Sequence, residues 1–343
     1  LILMMEVFMQ NKSLHISKQM LIFTLLLIAL IFIFLLSIAM GSVKISLSEV
    51  ANIIIENIQD DSVNSTIVWK IRLPRSLAAV VGGAAIAVAG LLLQVFFRNP
   101  VVDSYILGVS SGSTLFIALL MLGGVTFGFS TLSPYTLFIG AFIGAVAVTA
   151  IILVFAYKVR DIVTLLILGL MVGYLCSAIT SILKTFADSE KLKEFVIWTM
   201  GSFAGFTWER FKIMTIIVIP FLFGAFMISK PLNAFLLGEE YAKSMGVNIK
   251  FFRVCIIFVS SVLTAGVTAF AGPIAFVGMA VPHIGRLSLQ TSDNRILVPA
   301  SILLGGIITA LCDLIARILL APAELTISSV TSFFGVPIVI WLL

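Results

Sequence analysis

Four polar side chains flank an apolar segment rich in glycine and alanine, residues 82–93. Arg72 and Arg75 precede this segment, and Gln94 and Arg98 follow it. A guanidinium group is planar and always charged, so it can bind a carboxylate in two places. Charge is costly in hydrocarbon, so such residues lie at membrane interfaces and mark function. The small residues between them let a neighbouring helix approach closely, which predicts a packed helix in a polytopic membrane protein.

A second charged pair, Asp313 and Arg317, lies four residues apart within an apolar stretch. Side chains at this spacing meet across one helical turn and can form an ion pair. The pair has a structural interpretation, and it could instead relay protons in a secondary transporter that an ion gradient drives. Both interpretations stay open at this point.

The residue patterns of several enzyme classes are missing from the sequence. No glycine is followed by lysine, so the chain has no Gly-x-x-x-x-Gly-Lys-Ser/Thr phosphate loop. The two histidines, His15 and His283, belong to no Cys/His/Asp cluster with the spacing of metal ligands. The three cysteines are far apart and odd in number, which argues against a disulfide framework. We therefore predict a chain without catalytic residues, cofactor or metal site.

The composition predicts an all-α integral membrane protein. The 343-residue chain is 61% hydrophobic and 11% charged, whereas soluble domains are roughly 25% charged. A bilayer span needs about 20 apolar residues, so the chain has room for roughly ten spans. The net charge of +5 is spread along the chain, and no basic run indicates a nucleic-acid partner.

Hydropathy predicts ten spans in a single transmembrane domain, residues 1–343. The spans cover residues 19–41, 74–97, 105–124, 134–157, 162–186, 208–229, 254–270, 274–290, 297–318 and 328–343. The apolar core of the first span is longer than the roughly 7–15 residues of a signal-peptide core, so we expect it to be retained. Lysine and arginine are divided almost evenly between the two sides, so the positive-inside rule does not decide the orientation.

Two polar segments separate predicted spans. Residues 42–70 suit an outer loop that contains a short helix, and residues 230–253 suit two short helices at a membrane surface. Gly238 and Gly246 would bracket one of these helices, because glycine is favoured at helix ends. Most loops are shorter than the second segment, which indicates a docking element.

Ten short motifs follow one another along the last four-fifths of the chain, from about residue 66. They are Arg-Leu-Pro-Arg at 72–75, Gly-Ala-Ala at 83–85 with Gln94, Arg-Asn-Pro at 98–100, Leu-Gly-Val-Ser-Ser-Gly at 107–112, Met-Gly-Ser-Phe at 200–203, Leu-Gly-Glu at 237–239 through Ala242 to Gly246, Phe-Val-Gly at 276–278, Pro-His at 282–283 with Arg286, Asp313 with Arg317, and Glu-Leu at 324–325. In this order they resemble the FecCD family, the permease subunits of bacterial ABC importers for iron-siderophores, haem and cobalamin. Each motif is weak alone, but the ordered set is specific.

The resemblance implies a fold of ten helices per subunit. Two permease subunits, identical or different, would surround a central path in the cell membrane, with two cytoplasmic ATPase subunits and an extracytoplasmic substrate-binding protein as partners. It also implies cytoplasmic termini, including a tail at residues 1–18, and cytoplasmic coupling helices at residues 230–253. Because family members with different cargoes share these motifs, the sequence does not specify which chelate is carried.

The resemblance further implies three sets of functional residues. The set that couples the chain to the ATPase, with Ala242 facing that partner, is Gly238, Glu239, Ala242 and Gly246. The set that docks the binding protein through outer arginines is Arg72, Arg75 and Arg317. The set that forms the inner gate is Asn99, Pro100 and Val101, together with Ile162 and Val163 at the start of the fifth span.

Three positions depart from the pattern of the family. Asp103 follows Pro100 closely, and we expect it to add a negative charge on the inner side. Cobalamin-type members place small hydroxyl residues where Ile162 and Val163 stand here, so we expect no hydroxyl contacts at this gate. The usual Glu-x-Pro-x-Gly turn is replaced at residues 324–328, where we expect a turn of different shape.

Overall fold

The computed structural model describes residues 2–41, 43, 45–56, 62–124, 134–159, 161–321 and 323–342, and these ranges contain helices and no strand. The helices are α1 (Ile2–Ala39), α2 (Leu47–Ile55), α3 (Val63–Thr66), α4 (Leu73–Phe97), α5 (Val109–Met121), α6 (Pro134–Lys158), α7 (Ile162–Thr185), α8 (Ser189–Thr199), α9 (Trp208–Met227), α10 (Ser229–Leu236), α11 (Glu239–Ser244), α12 (Ile249–Ala271), α13 (Val277–Leu289), α14 (Asn294–Ile318) and α15 (Ile327–Leu342). A π-helical stretch, Ile67–Arg72, joins α3 to α4. Leu1 of the predicted tail, and residues 42, 44 and 57–61 of the predicted outer loop, lie outside the described ranges.

Seven helices within the described ranges are long and apolar enough to cross a membrane, and each lies at a predicted span. The other three predicted spans coincide with the shorter helices α5, α13 and α15. Helices α5 and α13 have 13 residues each, so each is about 20 Å long. A hydrocarbon core of about 30 Å is too thick for such a helix alone. The all-helical membrane fold is confirmed, and the number of ten crossings stays a prediction.

Helices α12 and α13 are separated by a short non-helical segment, residues 272–276. The backbone takes positive φ angles at Gly272 (72°) and Phe276 (67°), which breaks the helical hydrogen-bond pattern. Side chains replace the missing partners: the Ile274 N–H donates to the Tyr105 hydroxyl at 2.8 Å, and the Phe276 N–H donates to the Asp103 carboxylate at 3.3 Å. Non-helical backbone is tolerated at membrane depth only when it is satisfied within the protein in this way.

The position of Asp103 corrects one sequence-based expectation. Its carboxylate does not extend from the inner side of the bundle but lies against the first residues of α13, where Gly278 leaves room for it. It accepts the Ser104 N–H at 2.6 Å as well as the Phe276 N–H. A carboxylate is favoured at a helix N-terminus because the unpaired N–H groups carry partial positive charge.

Helix α4 lies at the centre of the bundle and is buried along most of its length. Two of its glycines touch neighbouring backbones: Gly83 meets Gly305 of α14, and Gly90 meets Gly278 of α13. At either glycine an added Cβ atom would collide with the facing backbone. Small residues at these points set how closely the three helices pack.

Substitution of Gly90 tests this packing. Because the facing atoms are backbone and cannot rotate away, we expect Gly90→Val to destabilise the folded chain by about 1–3 kcal/mol or more. The melting temperature of the purified protein in detergent measures this loss. Gly224→Val in α9 is the control, since no atom lies within 4 Å of a Cβ at that position. An equal effect of both substitutions would contradict the close approach of α4 and α13.

Candidate functional site

A buried ion-pair cluster closes one end of the bundle, which we call the arginine end. Arg75 of α4 donates through Nε and Nη2 to Asp313 of α14 at 3.0–3.1 Å. Its Nη1 donates to Glu324, in the segment before α15, at 3.0–3.1 Å. The side chains of Arg75 and Asp313 are 6% and 1% exposed, whereas that of Glu324 is 40% exposed. One guanidinium group therefore binds two carboxylates from separate elements.

Arg317 completes this cluster from α14. Its Nε lies 3.3 Å from the Asp313 carboxylate, one helical turn away, so the ion pair expected from the sequence is confirmed. Its Nη2 donates to the backbone oxygen of Ser37 at 3.0 Å and to the Ser37 hydroxyl at 2.5 Å. The Ser37 hydroxyl also contacts that of Ser76 at 2.8 Å. Helix α1 is thereby joined to α4 and α14.

Arg72 binds backbone oxygens rather than a carboxylate. Its Nη1 donates to the oxygens of Ile38 and Ala39 at 2.8 and 2.7 Å, and its Nη2 donates to that of Val43. These are carbonyls at and beyond the C-terminus of α1, which have no partner within the helix. A cation near a helix C-terminus is electrostatically favourable.

The three arginines predicted to dock the binding protein are buried in this chain. That role assumes guanidinium groups free to grip a partner, but Arg72, Arg75 and Arg317 are only 4–5% exposed and are bound within the chain. Two nearby carboxylates and the end of α1 already occupy their hydrogen-bonding sites. The assumption of free groups is wrong for this chain, and docking at the arginine end stays a prediction.

The opposite end of the bundle carries the segment predicted to couple to an ATPase. Helix α11 is bracketed by Gly238 (φ 127°) and Gly246 (φ 85°), as expected. The Gly246 N–H donates to the Lys243 oxygen, and the Val247 N–H donates to the Ala242 oxygen, both at 3.0 Å. This is the Schellman arrangement, in which a glycine with positive φ ends the helix.

The expectation that Ala242 faces a partner is wrong. Ala242 is fully buried and packs into the core of its own chain. The exposed side of this segment carries Leu237, Tyr241 and Met245, which are 69%, 48% and 61% exposed. Tyr241 lies within α11, Met245 caps its end one turn later, and Leu237 ends α10 just before Gly238. We call these three residues the apolar face.

An ion pair fixes α11 to the rest of the bundle. Glu239 accepts two hydrogen bonds from Arg253 Nη2 of α12, at 2.7 and 2.9 Å. The Nη1 atom of the same arginine donates to the Val159 oxygen, immediately after α6, at 3.0 Å. The side chain of Arg253 is 6% exposed. Three elements at the α11 end therefore meet at one guanidinium group.

The residues of the predicted inner gate lie apart in the single chain. Asn99 and Pro100 line an open pocket of about 260 Å³ that also has Arg286 in its wall, whereas Ile162 and Val163 do not line it. Val101 and Val163 are 44% and 60% exposed. A gate made of these residues would need two copies of the chain around one path, and it stays a prediction.

The same pocket shows a pairing that the motifs did not reveal. Arg286 Nη2 donates to the Gln94 Oε1 atom, and Gln94 Nε2 donates to the Met279 oxygen at 3.0 Å. Two separate motif residues, one on α4 and one on α13, thus form one polar contact. Only their 192-residue separation hides this contact from sequence reasoning.

Residues 108–112 match the Gly-x-Ser-x-Gly pattern of a serine nucleophile elbow, although we predicted a chain without catalytic residues. That elbow places its serine on a sharp turn between a strand and a helix. Here Gly108 (φ 74°) follows a series of turns, Ser110 lies in the first turn of α5, and the described residues contain no strand. The pattern therefore lacks the geometry of the elbow.

Comparison with known proteins gives a consistent result. The model of the FecCD transport family matches residues 28–343. The vitamin B12 import system permease proteins BtuC of Salmonella newport (strain SL254) and Salmonella enteritidis PT4 are each 38% identical over 276 residues, which is 80% of this chain and 83% of theirs. A solved structure described as an inward-facing metal-chelate type ABC transporter is 32% identical, covers 94% of this chain and 98% of its own, and has a TM-score of 0.83. PsaBC from Streptococcus pneumoniae, at 15% identity and a TM-score of 0.51, shares the fold alone.

The ion-pair cluster gives a direct test. Removal of the Arg75 charge leaves Asp313 buried beside one remaining guanidinium, so we expect Arg75→Met to destabilise the fold by about 3–5 kcal/mol. The yield of monodisperse protein in detergent and its melting temperature measure the loss. The double change Arg75→Met with Glu324→Gln should recover part of it, because Arg317 and Asp313 then remain as a balanced pair, and Lys212→Met, at an exposed position, serves as control. Wild-type stability of the single variant would show that the cluster is dispensable.

Proposed function

Because the chain belongs to the FecCD transport family, we propose that it is the translocation subunit of an ATP-driven importer for a metal chelate of the iron-siderophore, haem or cobalamin class. It is a multi-pass membrane protein and a permease of the ABC importer type. The observation that carries the proposal is the match in fold over 94% of the chain to a metal-chelate type transporter. The vitamin B12 permeases among its relatives support a cargo of the same class.

We place the ATPase at the α11 end. An exposed apolar face on a short, rigidly held helix suits insertion into a groove of a partner, as in other helix-in-groove contacts. A face made of Leu237, Tyr241 and Met245 would supply the contact, in place of the buried Ala242. Arg253 would pass the displacement of α11 to α12 and to the junction between α6 and α7, since it lies on α12 and binds Glu239 and the Val159 oxygen.

The other partners follow from the same arrangement. Two permease subunits would enclose the path, with Asn99, Pro100 and Val101 and the start of α7 at its inner gate. The binding protein would dock at the arginine end, where the buried cluster fixes the ends of α1, α4 and α14. The α11 end, and with it both termini of the chain, would lie in the cytoplasm.

No contact at Asp313 favours the alternative of an ion-driven secondary transporter. A proton relay needs a carboxylate that gains and loses its proton during the cycle. Asp313 is 1% exposed and lies within 3.3 Å of the guanidinium groups of both Arg75 and Arg317. The pair is therefore assigned a structural role.

Reconstitution tests the proposed function. The chain is placed in proteoliposomes with an ATPase and a binding protein from neighbouring genes, and uptake of a ferric trihydroxamate, a ferric tricatecholate, haem and cobalamin is measured. We expect one of these to enter only with ATP, and no ATP hydrolysis by the chain alone, since it has no phosphate loop. Uptake by the chain alone under an imposed proton gradient would contradict the proposal.

The apolar face gives a second test. We expect Tyr241→Asp and Met245→Asp to reduce co-purification of the ATPase roughly tenfold or more, because a charge replaces a buried apolar contact. The chain itself should fold normally, since both side chains are exposed. Ala242→Trp should instead lower the stability of the chain, because its site is filled.

A matched control separates this surface from general effects of added charge. Ile55 on α2 is 81% exposed and lies on a helix outside the predicted spans. Ile55→Asp should leave ATPase binding unchanged. Loss of the ATPase in this variant as well, or its retention in Tyr241→Asp and Met245→Asp, would refute the assignment of the apolar face.

A further inference from the structure

A small cavity between α5 and α7 has an unusual lining for a membrane-spanning region. Its volume is about 170 Å³. Every lining residue is polar, and the set is Ser110, Ser111, Thr114, Ser177, Thr180, Ser181 and Lys184. We call it the hydroxyl groove. These six hydroxyl groups and one ammonium group belong to helices that are otherwise apolar.

Helix α7 is exposed over much of its circumference, including Met171 and Tyr174 at 51% and 65%, and the exposed residues of its C-terminal half differ in character between two sides. One side carries the large apolar residues Leu175, Ile179 and Ile182, which are 63%, 37% and 59% exposed. The groove residues Ser177 and Lys184 are also exposed. At 100° per residue the two sets lie on roughly opposite sides of the helix. An apolar side suits lipid, but a hydroxyl and ammonium side does not.

Polar and charged side chains within a span face water or other protein rather than hydrocarbon. The groove side of α7 therefore borders an aqueous cavity or a partner subunit. An apolar contact with a partner would not favour an uncompensated ammonium group, whereas an aqueous path would accept it. Water on this side would account for the polar lining of the groove.

Lys184 has a defined place at one mouth of the groove. Its Nζ lies 5.3 Å from the centre of the Phe195 ring on α8, within the distance of a cation–π contact. The junction between α6 and α7 is tied to α11 through Arg253, which binds the Val159 oxygen and Glu239. The 24 residues of α7 span about 36 Å, so Lys184 lies at the opposite end, toward the arginine end.

We propose that the hydroxyl groove is part of the translocation path and makes that path selective for anionic, oxygen-rich chelates. The inference rests on the proposed function. Thr114 and Thr180 donate to backbone oxygens of their own helices, at 2.9 and 2.8 Å. The serine hydroxyls of the groove would donate hydrogen bonds to carboxylate, hydroxamate or catecholate oxygens. The ammonium of Lys184 raises the local concentration of anions. A ligand pocket holds about 300–1,000 Å³, so the equivalent groove of a second copy would have to complete the space.

Cysteine labelling of the reconstituted transporter tests the groove without knowledge of the cargo. Cys176, Cys255 and Cys312 are first replaced by alanine. Ser177→Cys and Ser181→Cys are then treated with an anionic sulfonatoethyl or a cationic trimethylammonium methanethiosulfonate, and each rate is divided by that with a free thiol. We expect both variants to react, with the anionic reagent favoured roughly tenfold. Lys184→Met should bring this ratio close to one.

Ile182→Cys, on the apolar side of the same helix, is the matched control and should stay unreactive. Equal labelling of Ile182→Cys and Ser177→Cys, no labelling of Ser177→Cys, or a ratio unchanged by Lys184→Met would overturn the proposal. Different results would contradict the groove proposal and the proposed importer function. Charge-selective labelling without ATP-driven uptake would reject the importer function, whereas ATP-driven uptake without charge-selective labelling would reject the groove.

Discussion

The ion-pair cluster of Arg75, Asp313 and Arg317 joins the ends of α1, α4 and α14 in a region that water barely reaches. Buried ion pairs of this kind add little stability over apolar residues of similar size, but loss of one member leaves a buried charge without compensation. The cluster therefore acts as a set. Its contribution is to fix which helix ends meet, because the buried charges are balanced only when these side chains come together.

A second constraint comes from the backbone inside the bundle. The non-helical turn between α12 and α13 is possible because the side chains of Tyr105 and Asp103 bind its N–H groups. The same turn lets α13 begin within the bundle, where Gly278 meets Gly90. The long helices α12 and α14 also pack against α4 and are mostly buried, whereas α7 remains largely exposed.

Local signals in the sequence are enough to predict much of this structure. Apolar runs mark the spans, paired glycines mark the ends of α11, and a spacing of four marks the contact of Asp313 with Arg317. Contacts between distant parts of the chain leave no such signal. Arg75 meets its two carboxylates 238 and 249 residues away, so its burial cannot be read from its neighbours.

The direction in which a side chain points on a short helix is equally hidden. Ala242 is buried because α11 packs against the body of the chain through this residue, and six residues carry too little periodicity to predict that side. Tyr241, one residue earlier, is exposed and belongs to the apolar face. The hydroxyl groove is invisible for a related reason, since two helices contribute its lining and neither is polar enough alone to attract notice.

The contacts of Arg253 with Glu239 and with the Val159 oxygen hold the junction of α6 and α7 next to α11, so α7 extends as a lever arm from a fixed point. Over a length of about 36 Å, a tilt of about 5° would move the far end by roughly 3 Å. That distance is the diameter of a water molecule. A small rotation at the α11 end could leave the helix packing there undisturbed. At the far end of α7 the same rotation would admit or exclude one layer of water beside Lys184.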